Sequence, residues 1–315
     1  MKITITDVHT RYGTIVALDG PSFEIPSGST FGVLGPNGAG KTTLFELLVG
    51  HDRPDHGSIM VGGIDVETAG HQVRERVAFL PEHAGFPAAL TGREVLEVHT
   101  RMRGLQNADG RIDTALETVG LSDAADRAVE GYSNGMGRRL GLAATLIGEQ
   151  PVLVLDEPTA GLDPRGVATF HDIIERIDRE TDATVVLSSH VLSEIERLCD
   201  EVAILENGEL RLRGSVDELR TGDVLTVVIY PDGDPSQLRA AVRAWGDVSK
   251  TNGRIEVTCA SDDAFDLLST IDASLIDRFE VRESGLEAAF HDAIASREDR
   301  IENGASGGRQ EVRVI

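Results

Sequence analysis

Short apolar runs, separated by glycine, proline and charged residues, recur through the first two hundred residues of the chain. Residues 2–8 and 14–25 read as two strands around a turn at Arg11-Tyr12-Gly13. The opening Met1-Lys2-Ile3-Thr4-Ile5-Thr6 alternates apolar and polar side chains, as a half-buried strand does. Ser29-Thr30-Phe31-Gly32-Val33-Leu34 and Ala183-Thr184-Val185-Val186-Leu187-Ser188-Ser189-His190 predict buried strands; Gly57-Ser58-Ile59-Met60-Val61 and Val77-Ala78-Phe79-Leu80 predict two more short ones. Pro151-Val152-Leu153-Val154-Leu155 is continuously apolar, which fits a central parallel strand covered on both faces. Apolar residues at helical spacing follow at 44–49, 91–103, 108–119 and 165–179, and Thr91 is placed to cap the second of these. Strand and helix in alternation predict an α/β fold built on a parallel sheet.

Residues 200–213 predict a hairpin turning at Glu206-Asn207-Gly208, because the Asn-Gly pair accepts the positive φ such turns need. After Ser215 to Arg220 the pattern changes. Strands at 225–230, 254–258 and 279–282 alternate with helical stretches at 235–245, 262–271 and 285–296. The expected organisation is a first domain over 1–220, a small α+β domain over 221–296, and a charged, glycine-rich tail over 297–315 expected to be disordered.

Composition adds two constraints. A chain of 315 residues is long enough for one large domain and a smaller one. Its formal net charge is -23, and Lys2, Lys41 and Lys250 are its only lysines. Such an acidic, lysine-poor surface fits a high-salt cytoplasm that screens self-repulsion, or simply an acidic mesophilic protein. Either way, general attraction to nucleic acid or anionic lipid is disfavoured, and no nucleic-acid partner is expected. Cys199 and Cys259 are isolated, with Cys199 read as a small buried residue at a helix end. The N-terminus lacks a signal-peptide core, and no apolar run approaches the roughly 20 residues that span a bilayer. The expectation is a cytosolic protein whose membrane role comes through a partner.

The chemistry concentrates where predicted strands end. Gly35-Pro36-Asn37-Gly38-Ala39-Gly40-Lys41-Thr42-Thr43 lies between a buried strand and a helix, the context of a phosphate-binding P-loop. Its glycines bring backbone N–H groups against phosphate oxygens and the helix N-terminus adds its dipole. Lys41 supplies a compact point charge, and the Thr42 hydroxyl suits Mg²⁺. Asp156 and Glu157 end the apolar strand, where open α/β sheets place ligands. Asp156 suits Mg²⁺ and Glu157 an attacking water. His190 ends the neighbouring strand and is read as a γ-phosphate contact; the other eight histidines are read as surface residues. Ser133 and Gly135 open another helix, again an anion-binding arrangement. Tyr12 is either a strand-end aromatic or a flat face for adenine. The loop 81–90 is unusually apolar, and its Phe86 and Leu90 either dock a partner or tuck into the core.

In this order the P-loop, Tyr-Ser-x-Gly-Met, Leu-Asp-Glu-Pro-Thr-x-Gly-Leu-Asp-Pro and Ser-Ser-His resemble the ATP-binding cassette (ABC) ATPases over about residues 2–220. The resemblance implies a P-loop NTPase nucleotide-binding domain with a parallel core sheet, an antiparallel β subdomain and a helical subdomain. It also implies ATP and Mg²⁺ as ligands, and a second copy pairing head to tail, so that each ATP lies between residues 35–43 of one subunit and 133–136 of the other. A separate transmembrane permease would be the partner. By the same resemblance Tyr12 takes the adenine-stacking position, Asp163 the D-loop, His190 the switch position and Glu157 the catalytic carboxylate. Two departures stand out. The usual Leu-Ser-Gly-Gly-Gln is here Tyr132-Ser133-Asn134-Gly135-Met136, and the Q-loop glutamine beside Mg²⁺ is Glu82, which is thereby a catalytic and metal-site candidate. Both variants resemble exporter ATPases of multidrug, sodium and copper-processing systems. The alternatives are a soluble ABC-type switch and a weakly hydrolysing regulatory ATP-binder.

Overall fold

In the computed structural model, the chain begins with β1 (Ile3–Tyr12), β2 (Ile15–Asp19) and β3 (Phe23–Ile25), all mutually antiparallel where they pair. Residues 1–220, 224–232, 235–251, 254–272 and 275–283 are described. The helix expected over 285–296 and the tail over 297–315 lie outside them. The first turn falls at Gly13-Thr14 rather than at Arg11-Tyr12-Gly13: Gly13 takes φ +62, and Tyr12 stays in β1 opposite Ile15. The stretch 14–25 is two strands, broken where Gly20 adopts φ +78 ahead of Pro21.

There follow β4 (Thr30–Leu34), α1 (Lys41–Leu48), β5 (His56–Val61), β6 (Ile64–Asp65), α2 (Val66–Arg76) and β7 (Val77–Leu80). Helices α3 (Gly92–Met102), α4 (Ala108–Thr118) and α5 (Asn134–Leu146) pack on one another before β8 (Val152–Leu155). Then come α6 (Pro164–Glu180), β9 (Thr184–Ser189), α7 (Leu192–Leu198), β10 (Glu201–Glu206) and β11 (Glu209–Ser215). Helix α2 escapes the hydrophobic pattern because only Val66 and Val73 are buried and a kink at Ala69 interrupts it. Thr91 caps α3 in a full capping box with Glu94.

Two sheets result. One is ordered β2-β1-β5-β6 with β3 on β1; the other is β11-β10-β4-β9-β8-β7, parallel from β10 to β7. Every residue of β4, β8 and β9 is buried, as two-sided coverage requires. The core gathers Phe31, Val33, Leu44, Phe45, Leu48, Val154 and Val186 between strands and α1. The parallel strands all present their carboxyl ends at one sheet edge.

The chain divides into two compact units, Met1–Gly214 and Ser215–Ile315. The second comprises α8 (Val216–Arg220), β12 (Val224–Pro231), α9 (Pro235–Val242), β13 (Asp247–Thr251), β14 (Arg254–Ala260), α10 (Ser261–Thr270) and β15 (Ile276–Glu283). From β12 on, this is a β-α-β-β-α-β arrangement on an antiparallel sheet ordered β13-β14-β12-β15. Strand β13, Asp-Val-Ser-Lys-Thr, carries too little apolar alternation to be read in advance.

Candidate functional site

The loop after β4 wraps the N-terminus of α1. Gly40 stands at the helix N-cap with φ +101, and a Cβ there would run into the Ala17 carbonyl oxygen. Gly35 is equally constrained, since its Cβ would meet the Leu205 carbonyl. Lys41 is buried, and its Nζ donates to the carbonyls of Gly35 (2.7 Å) and Pro36 (3.3 Å).

Asp156 and Glu157 follow β8. The Thr42 hydroxyl donates to Asp156 Oδ2 at 2.8 Å, and the Ser188 hydroxyl donates to Asp156 Oδ1 at 2.6 Å. Ser188 also accepts the Glu157 N–H at 2.7 Å. Glu157 sits at φ +41, a conformation a non-glycine residue keeps only when its surroundings enforce it. Its Oε2 lies 2.8 Å from His190 Nδ1. Its Oε1 faces Lys41 Nζ at 3.1 Å, an ion pair outside hydrogen-bond geometry. The carboxylate is thus only 10% exposed and held between two cationic or polar nitrogens.

A cavity of about 470 Å³ is lined by Tyr12, residues 36–43, Glu82, Glu157 and His190. Tyr12 is half exposed, and its hydroxyl donates to Asp52 Oδ2 at 2.7 Å. Burial and the Asp52 hydrogen bond push its phenol up to about 12, while the same bond lowers the Asp52 carboxyl. The ring is therefore neutral and anchored at its far end. Glu82 is exposed, with His83 Nδ1 at 3.8 Å as its ionic neighbour.

Ser133, Gly135 and Asp163 do not line this cavity. Exposed Ser133 caps α5 by accepting the Met136 N–H, and exposed Asp163 caps α6 by accepting the Gly166 N–H at 2.8 Å. Tyr132, in place of the usual leucine, donates its hydroxyl to the Ala124 carbonyl at 2.7 Å and covers Gly92. In the loop 81–90, Phe86 and Leu90 are both half-buried, and the Phe86 ring meets His99 edge-on at 6.2 Å.

Of the histidines read as surface residues, His171 is buried on α6. It lies 3.8 Å from buried Glu194, which accepts hydrogen bonds from Thr159 (2.7 Å) and Ser189 (2.8 Å). Burial lowers the His171 pKa, only partly opposed by Glu194. Ser188, bonded to Asp156, Asp52, bonded to Tyr12, and Arg138, which donates to the carbonyls of Glu82, Asp156 and Glu157, are neighbours of these residues that sequence reasoning missed. The Ser188-Ser189 pair directly before His190 was the one local signal.

No cluster of three or more histidine, cysteine or acidic residues able to hold a metal exists among the described residues. Mg²⁺ does not require one, because it is bound through one or two carboxylates together with phosphate and water. The Thr42 hydroxyl and Asp156 carboxylate, 2.8 Å apart beside the P-loop, are hard oxygen donors that fit it.

A protein-family model described as ABC transporter matches residues 18–160. Daunorubicin resistance ATP-binding protein DrrA3 of Streptomyces coeruleorubidus is 38% identical over 291 residues, 91% of this chain and 90% of the relative. Nod factor export ATP-binding protein I of Ralstonia nicotianae is 37% identical over 74% of this chain and 73% of its own. A solved ATP-binding subunit of an ABC transporter superposes with a TM-score of 0.63 at 26% identity, covering 70% of this chain and 92% of the other. The chain belongs to the ABC transporter family and is one of its ATP-binding, ATP-hydrolysing subunits.

Proposed function

We propose that two copies of this chain close head to tail over two Mg·ATP and drive a separate membrane permease, with export as the direction of transport. Among the described residues no helix is long and apolar enough to cross a membrane. Attachment at the cytoplasmic face of the membrane would run through the permease. The names of the drug-resistance and Nod factor export relatives support an exporter. Residues 1–220 would be the nucleotide-binding domain, 221–296 an accessory α+β domain and 297–315 a tail; the division into two units after Gly214, somewhat ahead of residue 220, supports a first domain followed by a second. The acidic, lysine-poor composition fits a high-salt cytoplasm.

In this reading Tyr12 stacks on adenine, the N–H groups of residues 35–43 and the Lys41 ammonium cradle the phosphates, and Thr42 and Asp156 hold Mg²⁺, with Glu82 beside them. Bound Mg²⁺ neutralises phosphate charge as it develops. Glu157 orients the attacking water and accepts its proton. His190 holds Glu157 Oε2 and turns toward the γ-phosphate. Ser133 and Gly135 of the second copy complete the phosphate shell, with Asp163 at the seam between copies. A phosphate clamped from both sides favours the closed dimer, and its cleavage releases the clamp.

The observation carrying this reading is the Glu157 carboxylate, buried between Lys41 at 3.1 Å and His190 at 2.8 Å on the wall of the P-loop cavity. Glu157→Gln should retain ATP binding, lose at least about 100-fold in turnover, within the range one general base contributes, and elute as a dimer with ATP. Hydrolysis at the parent rate would refute the assignment.

A further inference from the structure

Arg138 is the fifth residue of α5 and only 8% exposed. A guanidinium carries five N–H donors in a rigid fork, and here each has a backbone carbonyl. Nε donates to Pro158 (2.8 Å); Nη1 to Pro81 (2.5 Å) and Glu82 (2.8 Å); Nη2 to Asp156 (2.6 Å) and Glu157 (2.9 Å). Asp156, Glu82 and Glu157 also favour its charge through space, although burial still lowers its pKa to about 10. The side chain is charged at neutral pH.

Those five carbonyls are not a random set. Three are consecutive and span Glu157, the residue held at φ +41. Two open the loop that carries Glu82. The helix bearing the fork is capped by Ser133, about 7.5 Å along its axis from Arg138 at 1.5 Å per residue. One side chain therefore ties two segments of this chain's own nucleotide site to the helix that, in the reading above, faces the nucleotide of the second copy. Lysine, with three donors, and glutamine, with two, cannot hold all five carbonyls.

We propose that Arg138 is a positioning residue for hydrolysis: it fixes the backbone on both sides of Glu157 and links it to the Ser133 helix and the Glu82 loop. This rests on the role of Glu157 proposed above. Arg138 itself donates to no P-loop group, so its loss leaves ATP binding by the single subunit intact while the carboxylate loses its place. Movement of the Ser133 helix on dimer closure is then transmitted directly to the backbone at Glu157.

The test compares full-length wild type, R138K, R138Q and E157Q for steady-state kcat and KM, affinity for a fluorescent ATP analogue, and melting temperature. R138K and R138Q should each lose at least tenfold in kcat, with KM and analogue affinity within threefold of wild type. Parent-rate turnover in R138K, with E157Q inactive, would overturn the inference and leave the Glu157 assignment standing. Parent-rate turnover in E157Q would instead remove the foundation itself. A purely structural role would lower melting temperature and analogue binding together with unchanged kcat per folded molecule, which also overturns it. If neither variant folds, amide hydrogen exchange of the wild type decides. Residues 80–83, 134–140 and 155–159 should gain protection together on adding a non-hydrolysable ATP analogue; independent responses count against the inference.

Discussion

Ser188 offers the sharpest test of how the acidic strand end is built. Its hydroxyl, fully buried, gives its proton to Asp156 Oδ1 at 2.6 Å and receives the Glu157 N–H at 2.7 Å. Ser188→Ala deletes one oxygen and breaks both bonds. The bond to the charged Asp156 carboxylate is worth roughly 1.5–3 kcal/mol, and a buried amide left without an acceptor costs about 1–3 kcal/mol. Both losses stem from one atom and do not simply add, so the expected destabilisation is about 3 kcal/mol. For a unit of this size that lowers the melting temperature by roughly 6–12 °C. Turnover should fall as well, because the amide at Glu157 is one of the anchors of its left-handed backbone. Urea unfolding followed by circular dichroism gives the first quantity and a phosphate-release assay the second. Ser188→Thr, which keeps the hydroxyl, controls for the loss of the bonds alone. A change below about 0.5 kcal/mol in Ser188→Ala, the level typical of surface substitutions, together with parent turnover, would refute the reasoning.

Two further outcomes follow from the geometry. Tyr12→Ala should raise the KM for ATP about 5- to 150-fold, the worth of one base stacked on an aromatic ring, with kcat nearly unchanged. Tyr12→Phe, which loses only the anchor to Asp52, should cost far less; equal KM values for Tyr12→Ala and wild type would remove Tyr12 from the site. His171 should make the fold acid-sensitive. Its folded pKa is lowered below 6.5, so the unfolded chain binds the extra proton first: the contribution is neutral above that pH and becomes destabilising as pH falls through it. Melting temperatures measured between pH 7.5 and 5.5 should fall less steeply in His171→Gln than in wild type, and identical slopes would sink this account.

Much of the site was readable from residues close together in the chain. The P-loop works through consecutive backbone N–H groups, so its glycines, Lys41 and Thr42 have to sit at fixed spacing after a strand. Asp156, Glu157 and His190 likewise mark themselves as polar residues closing apolar strands. The three strands of the core sheet that bear them, β4, β8 and β9, were equally plain, because coverage on both faces leaves an uninterrupted hydrophobic run. The polar helix α2 and the edge strand β13 were not, since few α2 side chains are buried and Asp-Val-Ser-Lys-Thr carries little apolar alternation.

The misses share one cause. Asp52 meets Tyr12 across 40 residues, Ser188 meets Asp156 across 32, and Arg138 reaches Glu82 across 56. His171 reads as an ordinary polar residue until α7 brings Glu194 beside it. Local spacing dictates which backbone segments form and which groups they display, because turns, helices and strands are governed by neighbours. Which buried hydroxyl, carboxylate or guanidinium satisfies which distant carbonyl depends on strand order and helix packing, and one-dimensional pattern carries no record of either.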